Sequence, residues 1–158
     1  MLFRSPSVQA AVAAALPQTI LLTCTAESIA SGGREIEEET GLSLWAARLP
    51  GTRLQPFHAV FQNTPDGLVC DGLPDPPEDQ SELRALLLLA DPVSCPIQEL
   101  LARLEQDYPG IPVLGGMASA WENPRDPKLG LNASAVPRGA VGVVLQGGPR
   151  VRTVVSQG

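Results

Sequence analysis

The sequence predicts an α/β domain in which two repeated units form mixed sheets with helices packed outside. The main observation is a repeat, because residues 16–27 return, in step, as residues 108–119. In each copy a helix-like run ends at a proline, an apolar strand-like run follows, and small and polar residues end the strand. Length is the second observation, since 158 residues suit one domain with its own core better than two.

We expect a single domain over residues 1–158, in which each unit has the order strand, helix, strand, strand, strand. The first unit covers about 1–62 and the second about 81–158. The segment between them, at about 63–80, is rich in proline and aspartate and is interpreted as a linker with a short strand at 68–70. The first unit has few residues ahead of its helix, where the second has a full strand, so we expect the chain to be a fragment.

In the first unit the residue types predict one helix and three strands. A helix is predicted over 5–16, because Ser and Pro are typical of a helix start and apolar residues follow at helical spacing. The apolar run at 19–25 predicts a buried strand. Apolar residues at 41–49 predict a second strand that places Trp45 in the core, and a Pro-Gly turn then leads to a third strand at 53–61.

The second unit is predicted to hold one helix flanked by strands. Its first strand, at 83–90, contains four consecutive leucines, which suit a strand buried on both faces. Apolar residues recur at helical spacing from Ile97 to Tyr108 and predict a helix that Pro109 ends. The remaining predicted strands lie at 111–115, 139–145 and 151–155, with a hairpin around 129–135.

Charge and cysteine content exclude several classes of protein. The formal net charge is -6 and no block of Lys or Arg occurs, so we expect no nucleic acid as partner. No apolar run is long enough to cross a bilayer, so we expect no membrane partner. Cys24, Cys70 and Cys95 are too few for a disulfide framework, and no metal site or cofactor is indicated, so a reducing cytoplasm is the expected location. A lipidated signal peptide ending at Cys24 is disfavoured by the polar break at 17–19.

Motifs along the chain occur in the order and at the spacing of one known family. The clearest are Cys24-Thr25-Ala26-Glu27, Gly32-Gly33-Arg34-Glu35, Tyr108-Pro109-Gly110 and Gly115-Gly116-Met117-Ala118-Ser119. Over nearly the whole chain they resemble the N-terminal part of the FIST domain. The resemblance implies a cytoplasmic sensory module of signal transduction that binds a small ligand such as an amino acid. It also implies a C-terminal FIST domain or a downstream signalling protein as partner.

Two equivalent strand ends with small side chains form the candidate ligand site, since small residues let backbone approach a ligand. Glu27 is predicted either to receive the ammonium of an amino-acid-like ligand, to pair with Arg34, or to be an exposed charge at a strand end. The Gly115-Gly116 pair either presents N–H groups to an anion or serves tight packing. The candidate ligand-binding residues are Cys24, Thr25, Glu27, Gly33, Arg34, Gly115, Gly116 and Ser119.

No obvious reactive group occurs in the sequence, so we expect binding without catalysis. Two alternatives stay open: a protein–protein interaction scaffold without a ligand, and a cysteine hydrolase with Cys24 as nucleophile and His58 as base. Against the hydrolase, Cys24 is expected to be a small buried core residue, and His58 lies in a different predicted strand. Asp91 follows a strand, where it either contacts a ligand or caps the following turn.

Overall fold

A computed structural model describes residues 5–37, 39–119, 126–148 and 150–154 of the chain. The helices within these residues are α1 (Ser5–Ala15) and α2 (Ile97–Asp107). The strands, in chain order, are β1 (Leu22–Cys24), β2 (Ser28–Ser31), β3 (Arg34–Glu37), β4 (Thr52–Thr64), β5 (Gly67–Asp71), β6 (Leu83–Ala90), β7 (Val113–Met117), β8 (Leu129–Leu131), β9 (Ser134–Val136) and β10 (Ala140–Gly147).

A five-stranded sheet of order β5-β4-β10-β6-β7 forms the centre of the fold. Its strands pair antiparallel except for β6 and β7, which are parallel and are connected through α2. β10 occupies the middle, and every residue from Ala140 to Leu145 is buried, because strands flank it on both sides and other elements cover both faces. Two smaller sheets, of order β1-β8-β9 and β2-β3, complete the architecture.

One face of the central sheet packs against α2. Leu100 and Leu104, one turn apart on α2, are each 1% exposed and belong to the same apolar cluster as Leu86 and Leu88 of β6. Tyr108, at the end of α2, is buried in this cluster while its hydroxyl donates a hydrogen bond to the carbonyl of Pro74 at 2.8 Å. The apolar spacing in the sequence therefore predicts both the helix and the face of it that becomes buried.

The other face of the central sheet packs against the β1-β8-β9 sheet. Val141 of β10 shares a second apolar cluster with Leu129 of β8 and Val136 of β9, and Leu89 of β6 packs against it. Leucines of β6 thus pack into apolar clusters on the two opposite faces of the sheet, which confirms that this strand is covered on both faces.

The α/β class and the mixed sheets are confirmed, whereas the organisation into two repeated units is not. The corresponding strands of the two predicted copies, β1 and β7, lie in different sheets with different partners: β1 pairs antiparallel with β8, and β7 pairs parallel with β6. The short strand predicted at 68–70 is present as β5, which forms a hairpin with β4. The predicted hairpin around 129–135 is present as β8 and β9.

The strand predicted at 41–49 is absent, which corrects the sequence prediction. This segment has no regular secondary structure, and Leu42, Leu44 and Trp45 are 58%, 56% and 78% exposed. Alternating apolar residues supply one face of a strand, but no neighbouring strand in the described part of the chain pairs with this backbone. The predicted strand at 151–155 is likewise not formed over 151–154, and its last residue lies outside the described residues.

Helix α1 buries a polar side chain rather than the apolar face that its spacing predicts. Gln9 is 3% exposed, and its amide nitrogen donates hydrogen bonds of 2.8 Å to the carbonyls of Asn132 and Ser134, at the turn between β8 and β9. Leu16, just after the helix, is 41% exposed. Hydrogen bonds to carbonyls at the β8–β9 turn therefore hold α1 in place, an arrangement that apolar periodicity cannot reveal.

Candidate functional site

Hydrogen bonds join the ends of β1 and β7. The backbone N–H of Ser119 donates to the carbonyl of Thr25 at 3.0 Å, and the Thr25 hydroxyl donates to the carbonyl of Ser119 at 2.5 Å. The backbone N–H of Glu27 donates to the Ser119 hydroxyl at 3.0 Å. We call Thr25, Glu27 and Ser119 the strand-end cluster, because the structure brings these predicted site residues together although 92 to 94 positions separate Ser119 from the other two.

Gly33 and Arg34 lie away from this cluster. They belong to the β2–β3 hairpin, where Gly32 and Gly33 have φ of 59° and 75° and form the turn. Arg34 is opposite Ser31, whereas Ser28, which directly follows Glu27, is opposite Glu37. Arg34 is thus four positions along the chain direction of the hairpin from Glu27 of the cluster, about 13 Å at strand spacing. Among the described residues no ion pair joins Glu27 to Arg34.

The two predicted glycines of β7 differ in their surroundings. Gly115 is paired with Leu88 of β6 and has φ of 151°, and a Cβ added to it would lie 1.7 Å from the Leu88 carbonyl oxygen. Only glycine fits there, which supports the packing interpretation for this residue. Gly116 is exposed, and a Cβ added to it would have no heavy atom within 4 Å. Gly116 therefore borders open space on β7, three positions before Ser119 of the strand-end cluster.

Cys24 is exposed, which corrects the expectation of a buried core residue. Protein atoms around the thiol displace part of its water, and this desolvation raises its pKa, so the thiol is protonated at neutral pH. His58 lies on β4, in a different sheet from Cys24, and its Nε2 is 2.9 Å from the carbonyl oxygen of Arg138. The two residues share no hydrogen bond, so the geometry gives the hydrolase interpretation no support.

A buried ion pair next to the cluster was missed by the sequence reasoning. Lys128 Nζ lies 3.0 Å from Asp91 Oδ1, and the two side chains are 2% and 5% exposed. The carbonyl of Lys128 accepts the N–H of Thr25 at 2.9 Å, so the pair is linked directly to the strand-end cluster. One signal could have indicated it, since Lys128 is the single lysine of the sequence.

Asp91 organises the loop that follows β6. Its carboxylate accepts hydrogen bonds from the Ser94 hydroxyl and, at 3.4 Å, from the Val93 N–H. The Ser94 oxygen in turn accepts the N–H of Gly139 at 2.8 Å, and the carbonyl of Gly139 accepts the N–H of Asp91 at 2.9 Å. Asp91 is 3% exposed, so these contacts favour the turn-capping role over direct ligand contact.

The electrostatics of Asp91 follow from these contacts. Desolvation by burial raises the pKa of the carboxyl, but hydrogen bonds from Ser94, Lys128 and Val93, together with the charge of Lys128, outweigh it. The pKa of Asp91 is therefore lowered below its ordinary value, and the side chain is a carboxylate at neutral pH.

The lowered pKa predicts a defined pH dependence of stability. The Asp91 carboxylate contributes stability that is complete above its ordinary pKa, about 3.9, and is lost as the pH falls through the lower folded value. We expect the difference in unfolding free energy between the parent chain and Asp91→Asn to be constant from about pH 5 to 7 and to shrink below about pH 4. Urea unfolding followed by circular dichroism from pH 3 to 7 measures this difference. A difference that stays constant down to pH 3 would contradict the prediction.

The described residues contain neither a metal-binding cluster nor a membrane-spanning helix. No group of three or more His, Cys, Asp or Glu side chains there is arranged to hold a metal ion. No helix in that part of the chain has the length and apolar character needed to span a membrane.

Comparisons with known proteins place the chain in a family. A family model described as FIST N domain matches residues 2–158. An uncharacterized protein of Mycobacterium tuberculosis is 35% identical over 149 residues, which make up 94% of this chain and 37% of that protein. An uncharacterized protein of Mycobacterium bovis is 32% identical over 155 residues, 98% of this chain and 39% of that protein.

The chain thus spans well under half the length of these relatives. No solved structure matches it significantly. The family model covers essentially the whole chain and confirms the resemblance that the motifs predict. This chain belongs to the FIST N domain family.

Proposed function

We propose that this domain binds a small ligand such as an amino acid at the strand-end cluster and transmits its presence to another protein without catalysing a reaction. FIST domains are generally sensory modules of signal transduction, and membership of the family supports that general role. The observation that carries the finer proposal is the position of Glu27. Its side chain is exposed, and its own backbone N–H donates a hydrogen bond to the Ser119 hydroxyl, which fixes the backbone at this point.

The chemistry of the cluster suits a zwitterionic ligand. The Glu27 carboxylate is the acceptor for an ammonium group, since charge-assisted hydrogen bonds are the stronger ones. Ser119 accepts the Glu27 N–H, which leaves its hydroxyl proton as a donor for a ligand carboxylate. Gly116 leaves open space on β7 three positions before Ser119, and the neutral Cys24 thiol is an uncharged neighbour of Thr25.

A binding role rather than catalysis is supported by the groups around the cluster. Cys24 is protonated at neutral pH, and His58 is engaged with the Arg138 carbonyl on a different sheet. Cys24, Cys70 and Cys95 are all free thiols, as is usual in a reducing compartment, and we therefore propose cytoplasmic sensing.

An interaction scaffold is a second candidate function, favoured by one observation. The segment 41–49 exposes Leu42, Leu44 and Trp45 together, and exposed apolar side chains of this size are typical of surfaces that contact other proteins. In the sensory proposal the same segment is the output surface, toward an attached C-terminal FIST domain or a downstream signalling protein. In the scaffold alternative it acts without a ligand.

Thermal melts across a panel of amino acids test the sensory proposal. At about a hundred times its dissociation constant, a ligand that binds only the folded chain stabilises it by roughly 2.7 kcal/mol, which raises the melting temperature visibly. We expect this rise in the parent chain and in Glu37→Gln, which removes an exposed carboxylate of the neighbouring hairpin. We expect no rise in Glu27→Gln. A rise that survives in Glu27→Gln would reject the strand-end site, and a chain that no amino acid stabilises would favour the scaffold.

A further inference from the structure

An open cavity of about 520 Å³ borders the loop after β6, and no residue of the strand-end cluster lines it. Its walls come from four elements: the β4–β5 hairpin, the loop after β6, the first turn of α2 and the residues that lead into β10. Cavities of this size are typical of small-molecule sites. The carboxyl end of β6, where the β6–α2 connection begins, is also where α/β sheets commonly bind ligands.

The cavity wall combines apolar and polar groups, and more of its accessible surface is polar than apolar. Phe61 and Leu68 contribute from the hairpin, and Val93 and Pro96 contribute from the loop. Cys95 is 6% exposed, and desolvation together with nearby Cys70, Asp91 and Glu99 raises the pKa of its thiol to about 11, so it adds no charge. A ligand body therefore finds apolar contacts in this wall together with polar contacts from Asn63 and Ser94.

Two charged side chains line the cavity, and they differ in how their charge is stabilised. Glu99 lies in the first turn of α2, where the partial positive charge of the helix N-terminus stabilises a carboxylate. Arg138 has no comparable local partner, because no ion pair within the described residues involves it. A bound anion would therefore supply the opposite charge that the Arg138 guanidinium lacks.

The backbone that carries Arg138 is held rigidly against the cavity wall. Its carbonyl oxygen is 2.9 Å from His58 Nε2, and the next residue, Gly139, is bonded to both Ser94 and Asp91. A Cβ added to Gly139 would lie 2.0 Å from the Ala59 carbonyl oxygen, so the chain is in close contact with β4 at this point. A fixed backbone lowers the entropy that a ligand would lose in ordering the site.

We infer that this cavity is a second binding site, which takes a small organic carboxylate whose body makes both apolar and polar contacts. The carboxylate pairs with Arg138 in a bidentate, charge-assisted contact, and the body packs between the β4–β5 hairpin and the loop after β6. No ammonium group is needed, so the ligand class differs from that proposed for the strand-end cluster.

Two probes that share one apolar body and differ in charge test this inference. 3-Phenylpropionate carries a carboxylate, and phenethylamine carries an ammonium on the same phenylethyl group. Calorimetric or NMR titration of the parent chain should give saturable binding of 3-phenylpropionate and none of phenethylamine. Arg138→Gln should weaken binding of the carboxylate by up to about fivefold, because it removes a charge-assisted contact made by an exposed side chain. Glu99→Gln should strengthen it by about twofold, because it removes a like charge from the wall.

Control variants separate this site from the strand-end cluster. Arg53→Gln removes an exposed arginine at the opposite end of β4 and should leave the affinity unchanged, as should Glu27→Gln. Either of two results would overturn the inference: binding of phenethylamine that is lost in Glu99→Gln, or binding of 3-phenylpropionate that is the same in Arg138→Gln as in the parent. Because neither of these two results depends on Glu27, the cavity proposal can be rejected while the sensory proposal stands.

Discussion

Replacement of Asp91 by alanine is expected to lower the free energy of unfolding by about 3–5 kcal/mol. The substitution leaves the charge of Lys128, whose side chain is 2% exposed, without its carboxylate 3.0 Å away. It also removes the acceptor of the Ser94 hydroxyl, which holds the loop after β6 to Gly139. Urea unfolding at pH 7, followed by circular dichroism, gives the loss directly.

Two further variants show whether this loss of stability comes from burying the Lys128 charge without the Asp91 carboxylate. The double variant Asp91→Ala with Lys128→Met buries no charge at this point, so it should recover a large part of the lost stability. Arg103→Ala breaks the exposed pair between Arg103 and Asp107, which are 57% and 18% exposed, and should cost no more than about 1 kcal/mol. An Asp91→Ala variant no less stable than Arg103→Ala would show that the buried pair contributes little.

Substitution of Gly115 by alanine is expected to cost at least about 2–4 kcal/mol, whereas the same substitution at Gly116 should change stability by no more than about 0.5 kcal/mol. Gly115 has φ of 151°, and its new Cβ would meet the Leu88 carbonyl oxygen at 1.7 Å, so β7 must move away from β6. At Gly116 the methyl group would enter open space. Equal urea midpoints for the two variants would contradict this assignment of Gly115 to strand packing.

The sequence predicts those parts of the fold that depend on local pattern. Apolar residues at helical spacing predict a helix from Ile97 to Tyr108, and α2 runs from Ile97 to Asp107. The run of leucines at 86–89 correctly predicts a strand covered on both faces. In both segments the side chains that define the pattern are the ones that become buried, so local sequence and tertiary packing agree.

The errors occur where long-range contacts decide the structure. Residues around Trp45 have the alternation of a strand, but a strand also needs a neighbouring backbone, which no local pattern supplies. Among the candidate site residues, the repeat placed Thr25 and Ser119 at equivalent strand ends, and the structure joins them by hydrogen bonds. The sequence also allows the Glu27 carboxylate to pair with Arg34, but the β2–β3 hairpin places Arg34 opposite Ser31, at its far end. The pairing of Asp91 with Lys128 spans 37 positions of sequence, and no spacing rule predicts it.

The burial of Lys128 also determines how the folded domain responds to amine-directed chemistry. As the single lysine, it carries the only side-chain amine of the chain, and the fold encloses that amine beside Asp91. An acylating reagent can reach its Nζ only when the region around the strand ends opens, so the rate of acylation at Lys128 reports the free energy of that opening. The sequence thus contains a reporter of local unfolding at the candidate site, which acylation followed by mass spectrometry can read without any substitution in the chain.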